Sequence, residues 1–231
     1  MKQASQQFTP EGRERINEAV REGESKTSAE IVPVVATASG RYDRAEDVFG
    51  LWMGLVAIVL VWVLFPAGGG AERTGIWGGG SPISPWWKLV AMLAAAVIVF
   101  VVGAVVAAKV GWLRRLFTPG AQMEEEVFTR ARQAFFDSQI HHTAGATGLL
   151  VYVSLYERRA AVLADASILE KVGQGALDAI CAQLTSDVAS EGVTPALCKA
   201  VRAAGEKLAP ALPRADDDVN ELADALVTID A

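Results

Sequence analysis

Two long stretches without a charge decide most of what this chain can fold into. Val48 to Ala67 (VFGLWMGLVAIVLVWVLFPA) and Leu89 to Ala108 (LVAMLAAAVIVFVVGAVVAA) contain no Asp, Glu, Lys or Arg. A helix of about 20 residues rises about 30 Å, the thickness of a bilayer's hydrocarbon core. The remaining sequence is too short to bury two such helices in a soluble core. They therefore predict a transmembrane hairpin. Trp52 and Trp62 lie in the first run, and Trp86, Trp87 and Trp112 flank the second, as suits rings that sit at the headgroup level.

The 18 residues from Gly68 to Pro85 carry seven glycines and predict a flexible turn between antiparallel spans. Basic residues near the span ends set the orientation. Arg41, Arg44, Lys109, Arg114 and Arg115 lie on the outer flanks, against Arg73 and interfacial Lys88 beside the turn. This asymmetry predicts both termini in the cytoplasm and the glycine loop outside. Arg114 and Arg115, beside Trp112, are expected to meet anionic lipid. The first 47 residues hold no apolar core of a cleaved signal, so the first span is expected to be an uncleaved anchor.

Charge divides the chain in the same places. Net charge is −2 through residue 47, +4 over 48–118 and −8 thereafter, within a total of −6. An acidic chain is thus interrupted by an almost uncharged block, and 52% hydrophobic residues exclude a disordered one. Acidic flanks without a basic stripe give no nucleic-acid signal, and no such partner is expected. Cys181 and Cys198 lack metal-type spacing and read as small apolar helix residues, kept reduced in a cytosolic setting.

The outer segments predict an α/β domain in two halves, residues 1–47 and 119–211. Thr9-Pro10-Glu11 starts a helix, with a capping hydroxyl and proline at the first helical position. Ile16, Ala19, Val20 and Gly23 recur at helical spacing. Glu30-Ile-Val-Pro-Val-Val-Ala36 then reads as a buried strand, although Pro33 cannot donate to a ladder and argues for an edge position or a bulge. One helix and one strand make no core, so this half must join the other. There, Met123–Ile140 reads as a helix. Gly148–Leu155 and Arg159–Ala164 read as a hairpin, and Leu169–Ala189 and Thr194–Ala211 as amphipathic helices. The expected fold is a small mixed sheet of at least three strands flanked by helices and interrupted by the membrane hairpin. Residues 212–231, with Asp216-Asp217-Asp218, read as an acidic tail, either a short surface helix or mobile.

The order of elements resembles the TPM domain family, which includes thylakoid acid-phosphatase-like proteins and bacterial membrane proteins. The resemblance runs from the first helix into Lys26-Thr27-Ser28-Ala29-Glu30-Ile31-Val32-Pro33-Val34-Val35. It resumes at Thr147-Gly148-Leu149-Leu150-Val151-Tyr152-Val153-Ser154-Leu155 and continues through Arg158-Arg159, a second strand, Glu191-Gly192 and a last helix. It covers roughly residues 8–47 and 123–210, and the form with a transmembrane pair between the halves is most similar. The resemblance implies a TPM-like fold, a phosphatase-like activity and a bacterial inner-membrane location. The chain departs at two acidic positions. An Asp-Asn-Gly step before the central strand is Ala146-Thr147-Gly148 here. A Gly-Tyr-Gly-Leu-Glu-like turn is Asp165-Ala166-Ser167-Ile168-Leu169-Glu170, which keeps only the final acid.

Four polar residues are the ligand-pocket candidates: His141 and His142 before the central strand, and Asp165 and Glu170 after the hairpin. Two imidazoles and two carboxylates suit a divalent metal. Adjacent histidines in extended backbone point oppositely, however, so helix capping by His141 and by Asp165 or Ser167 is the more ordinary assignment. No resident cofactor is expected. Gly173 and Gly175 lack the strand-to-helix context of a nucleotide loop, and Arg158-Arg159 reads as a solvated hairpin end or a phosphate or headgroup contact. Two functions follow. The favoured one is a membrane-anchored interaction or assembly module facing the cytoplasm, with the bilayer and other membrane proteins as partners. The other is a metal-dependent phosphatase-like hydrolase. Gly50, Gly54 and Gly103 are expected to permit close helix contact, as in a multi-subunit membrane complex.

Overall fold

The charge boundaries reappear as boundaries in space. A computed structural model describes residues 3–64, 85–143, 145–214 and 220–230, and divides into two compact units. Residues 1–41 and 120–231 form an α/β unit, and residues 42–119 a helical one. The glycine connector 68–84, with Arg73, lies outside the described residues, as do Asp216–Asp218 and the side chain of Arg114.

The α/β unit opens with α1 (Ala4–Gln7) and α2 (Pro10–Glu24). The Thr9 hydroxyl accepts the Gly12 N–H at 3.1 Å, and Pro10 occupies the first helical position, so the predicted cap is in place. The chain then enters β1 (Glu30–Ala36). After the helical unit come α6 (Gly120–Asp137), a single 3-10 turn (Ile140–His142), β2 (Gly148–Ser154) and β3 (Arg159–Ala164). The chain ends in α7 (Ala166–Val172), α8 (Gln174–Glu191), α9 (Val193–Leu208) and β4 (Val227–Ile229). The helix read as Leu169–Ala189 is broken at Gly173, and α9 follows Gly192; these two glycines have φ of 78° and 89°, which L side chains rarely adopt.

The four strands form one mixed sheet in the order β3-β2-β1-β4. β1 runs parallel to β2, with Glu30 opposite Gly148 and Ala36 opposite Ser154, while β2 and β3 are an antiparallel hairpin. Alternation along the strands builds two cores. Ile31, Val35, Leu149, Val151, Val153 and Val162 pack with α2, α8 and α9 on one face. Val32, Val34, Ala36, Leu150, Tyr152 and Ala161 pack with α6 on the other. Both faces are covered, so β1 and β2 read as continuous apolar runs.

Two expectations change. The segment read as an acidic tail supplies a strand: β4 pairs in parallel with Val34–Ala36 of β1. Three residues are too few to give a periodic signal, and β1 holds them from more than 190 positions away in the sequence. Pro33 therefore sits in an inner strand, paired in register with Val151. It is tolerated there for a directional reason. Glu30 donates to the Thr147 carbonyl and Ala36 accepts from Leu155, so the even-numbered residues of β1 face β2. Ile31, Pro33 and Val35 face the opposite flank, where β4 begins pairing only at Val34. No ladder bond is lost at Pro33.

The helical unit consists of α3 (Asp43–Leu64), α4 (Pro85–Lys109) and α5 (Gly111–Leu116). Among the described residues, two helices are long and apolar enough to cross a membrane, Arg44–Leu64 at mean hydropathy 2.3 and Trp86–Lys109 at 3.0. Only 17% and 6% of their most apolar stretches are buried by the protein. They pack on each other through glycine: a Cβ on Gly103 would lie 3.2 Å from Gly50 Cα, and one on Gly50 would lie 2.8 Å from the Phe100 carbonyl. Gly54 faces Ala96 in the same way. The small residues expected to meet another subunit meet the second helix of this hairpin instead. At its far end the Lys88 ammonium lies 3.9 Å from the Trp62 ring centroid and 3.4 Å from the Trp62 carbonyl. That places a cation over an aromatic face and at the last carbonyls of α3. Trp86, Trp87 and Trp112 are exposed.

Candidate functional site

A parallel β1–β2 pair has an amino end and a carboxyl end, and polar residues gather at both. The amino end holds the residues singled out from sequence. Here Gly148 is indispensable, because a Cβ would sit 2.1 Å from the Ile140 carbonyl oxygen. The 3-10 turn is thereby pressed against the first residue of β2. His141 is half-buried in that turn, its ring 4.9 Å from Phe136 and 4.2 Å from the exposed His142 ring. Its role is aromatic packing. The expected capping of α6 falls instead to Gln139, whose φ of 54° ends the helix in a left-handed residue.

Asp165 closes the other side of Gly148. Its N–H donates to the Gly148 carbonyl at 2.9 Å, and its Oδ1 accepts the Ala166 N–H at 2.8 Å as the N-cap of α7. Ser167 donates to the Gly145 carbonyl at 2.7 Å. Glu170 is exposed one turn further on. Among the described residues, no group of three or more His, Cys, Asp or Glu is arranged to hold a metal ion. Among them, too, His141 Nδ1 and Asp165 Oδ2 are buried without a hydrogen-bond partner. These four residues lie at the amino end of β2, whereas open α/β sheets place ligands at the carboxyl ends of parallel strands.

The same end carries a third group that the sequence reading passed over. Glu24, at the last turn of α2, accepts the Ile31 N–H at 2.8 Å. It thus occupies the flank of β1 that β4 does not reach. Glu30 and Asp224 stand beside it, around a cleft of about 130 Å³ that Arg21, Thr27, Arg214 and Asn220 complete. Burial pushes the Glu24 carboxyl up to about 8; the Ile31 N–H opposes that rise, and the charges of Glu30 and Asp224 add to it.

At the carboxyl end the arrangement is different. Glu157, in the β2–β3 turn, is 1% exposed. One oxygen accepts the Ser39 N–H at 2.9 Å and the Gly40 N–H at 3.3 Å; the other accepts the Ser154 hydroxyl. Ser39 Oγ and the Tyr152 hydroxyl are 2.9 Å apart. Tyr152 is fully buried, and that burial pushes its phenol up to about 12. Read from sequence, Tyr156-Glu157-Arg158 is only a turn between two strands. The available signal was a lone acid three residues after a serine that ends a wholly apolar strand. Glu157 ties the β2–β3 turn to the last residues before α3. A Cβ on Gly40 would meet Glu126 of α6 at 2.8 Å. The point where the chain leaves the α/β unit is therefore pinned from two sides. Arg158 is exposed and Arg159 pairs with Glu124 at 3.2 Å. Cys198 is buried as expected, while Cys181 donates to the Ala160 carbonyl at 3.2 Å and so covers part of the free edge of β3. Burial pushes its thiol up, away from reactivity.

No family model matches the chain, and no curated protein matches it. Among solved structures it is similar to the NMR structure of the BA42 protein from the psychrophilic bacterium Bizionia argentinensis. The TM-score is 0.54 at 17% identity, over 97% of this chain and 96% of that one. A likeness at that identity bears on the fold alone.

Proposed function

We propose that the chain is a two-span membrane protein that presents its α/β unit to the cytoplasm as an interaction or assembly module of TPM type. The observation that carries this reading is the contrast between the two units. The α/β unit buries its apolar residues in two well-filled cores, whereas the hairpin leaves Leu51, Val59, Val63, Val97 and Ile98 each more than half exposed. Apolar helices left uncovered by their own protein call for lipid around them. The pinned exit at Ser39–Gly40 supports the second half of the reading, since it holds the presented domain in a fixed relation to its own last residues before the first span. Catalysis is not part of the proposal: Asp165 is engaged as a cap, His141 is engaged in ring packing, and Glu170 is exposed.

Alkaline washing of membranes and topology labelling test the proposal. The full chain should stay in the pellet, a reporter after Ala231 should behave as cytoplasmic, and a cysteine placed in the glycine connector should label from outside. Release by alkali would sink the membrane assignment, and inverted labelling would sink the orientation. Partners should co-purify with the intact chain from native membranes and be lost when the α/β unit is disrupted at Glu157.

A further inference from the structure

The last eleven described residues, 220–230, form a strap tied to the body of the α/β unit at both ends of β1. At the carboxyl end, Thr37 donates to the Ile229 carbonyl at 2.9 Å, and Ser5 donates to Asp230 through its N–H at 3.0 Å and its hydroxyl at 2.6 Å. In the middle, Leu226 donates its N–H to Asn17 Oδ1 at 3.1 Å, and β4 pairs with Val34–Ala36. At the amino end, Glu221 donates its N–H to Glu30 Oε1 at 3.2 Å, and Arg21 Nε approaches Asp224 Oδ2 at 3.9 Å.

One pair differs in kind from these ties. The Glu24 and Asp224 carboxyls line the same small cleft. Two carboxyls hold each other only when one of them keeps a proton, and otherwise repel. The groups facing Glu24 are Arg21 from α2, Glu30 from β1, Arg214 from the segment after α9, and Asn220, Glu221 and Asp224 from the strap. Glu24, Glu30 and Asp224 share this one small cleft with two arginines, Arg21 and Arg214. Ionising Glu24 adds a like charge beside Asp224 and Glu30.

We propose that residues 220–230 are a proton-gated strap: protonated Glu24 holds Asp224 and keeps β4 on the sheet, and loss of that proton frees the strap and uncovers the outer flank of β1. The strap's other ties are individual hydrogen bonds and a three-residue strand at the edge of the sheet, the kind of segment that opens locally at low cost. What it uncovers is a run of backbone donors and acceptors on Val35 and Thr37, an edge that another strand can pair with.

The sign and the window follow from Glu24. Its value with the strap closed, about 8, lies above the 4.5 of a free glutamate, so the closed state binds the proton more tightly than the open one. Closure is complete below about pH 4.5, weakens about tenfold for each pH unit above that, and levels off once pH passes about 8.

Hydrogen-exchange mass spectrometry on the full chain in detergent micelles, read as protection factors, tests this. Protection of Leu226 and Thr37 should fall about tenfold per pH unit between 5 and 8, while Val151 in the central strand stays far better protected throughout. Glu24→Gln keeps an acceptor for Ile31 and gives Asp224 a permanent donor. It should hold the strap closed and flatten the pH dependence. Asp224→Asn, which donates to Glu24 and removes one charge, should flatten it as well, so a poorly folding single variant does not decide the outcome. A strap whose protection is level from pH 5 to 8, an unchanged slope in both variants, or loss of protection only together with Val151 would each overturn the proposal.

Discussion

The two ends of the β1–β2 pair both bury a glutamate, and the comparison shows how neighbours decide what such a residue does. At the carboxyl end, Glu157 has three donors: two backbone N–H groups and a serine hydroxyl. They satisfy both oxygens, and the result is a fixed joint between the hairpin turn and the exit toward α3. At the amino end, Glu24 has one backbone donor and two neighbouring acids. There burial beside two like charges favours the protonated carboxyl. The fold is the same and the residue is the same. The donor count separates an anchor from a gate.

The comparison can be broken most forcefully at its rigid end. Glu157→Leu strands the Ser39 and Gly40 N–H groups and the Ser154 hydroxyl in a buried place, and should cost on the order of 4 kcal/mol in denaturant unfolding of the α/β unit. A loss below about 1 kcal/mol would mean that Glu157 is no anchor. Next in size is Gly148→Ala, which drives a methyl into the Ile140 carbonyl and should cost about 3 kcal/mol by displacing the 3-10 turn. The smallest effects sharpen the amino end. Asp165→Ala removes one cap and should cost about 1 kcal/mol, whereas His142→Ala, at an exposed ring, should change stability by less than about 0.5 kcal/mol. If His142→Ala matched Asp165→Ala in cost, the assignment of these residues to capping and packing would need replacing by a shared site.

How far the sequence exposes this molecule depends on how local each signal is. The two long apolar helices, the Thr9 cap and the β2–β3 hairpin all rest on patterns within about twenty residues, and the structure has a helix, a cap or a hairpin at each of those places. What escaped detection is non-local. Val227–Ile229 is a strand only because β1 offers it a free flank, and Pro33 is acceptable in β1 only because that flank is empty beside it. Glu24 looks like one more solvent-facing acid of an amphipathic helix until Asp224, 200 positions later, is folded against it. The candidate residues divide. Asp165 caps α7, the ordinary assignment for it, while His141 packs among aromatic rings in a turn pressed against Gly148, a fit that no spacing rule encodes.

The sheet order β3-β2-β1-β4 has a consequence for how the molecule is made. β1 leaves the ribosome first, yet both of its neighbours come later: one after the whole hairpin, the other in the last few residues. The two long apolar helices are therefore synthesised while the strand that precedes them has nothing to pair with. During that interval Glu30–Ala36 is an unprotected β-branched segment, and Pro33, which denies one edge a donor, is its one built-in defence against pairing with the wrong chain. A nascent chain stopped short of residue 227 would already hold both long apolar helices and still lack a closed sheet, so β1 gains its second neighbour only after β4 has been made.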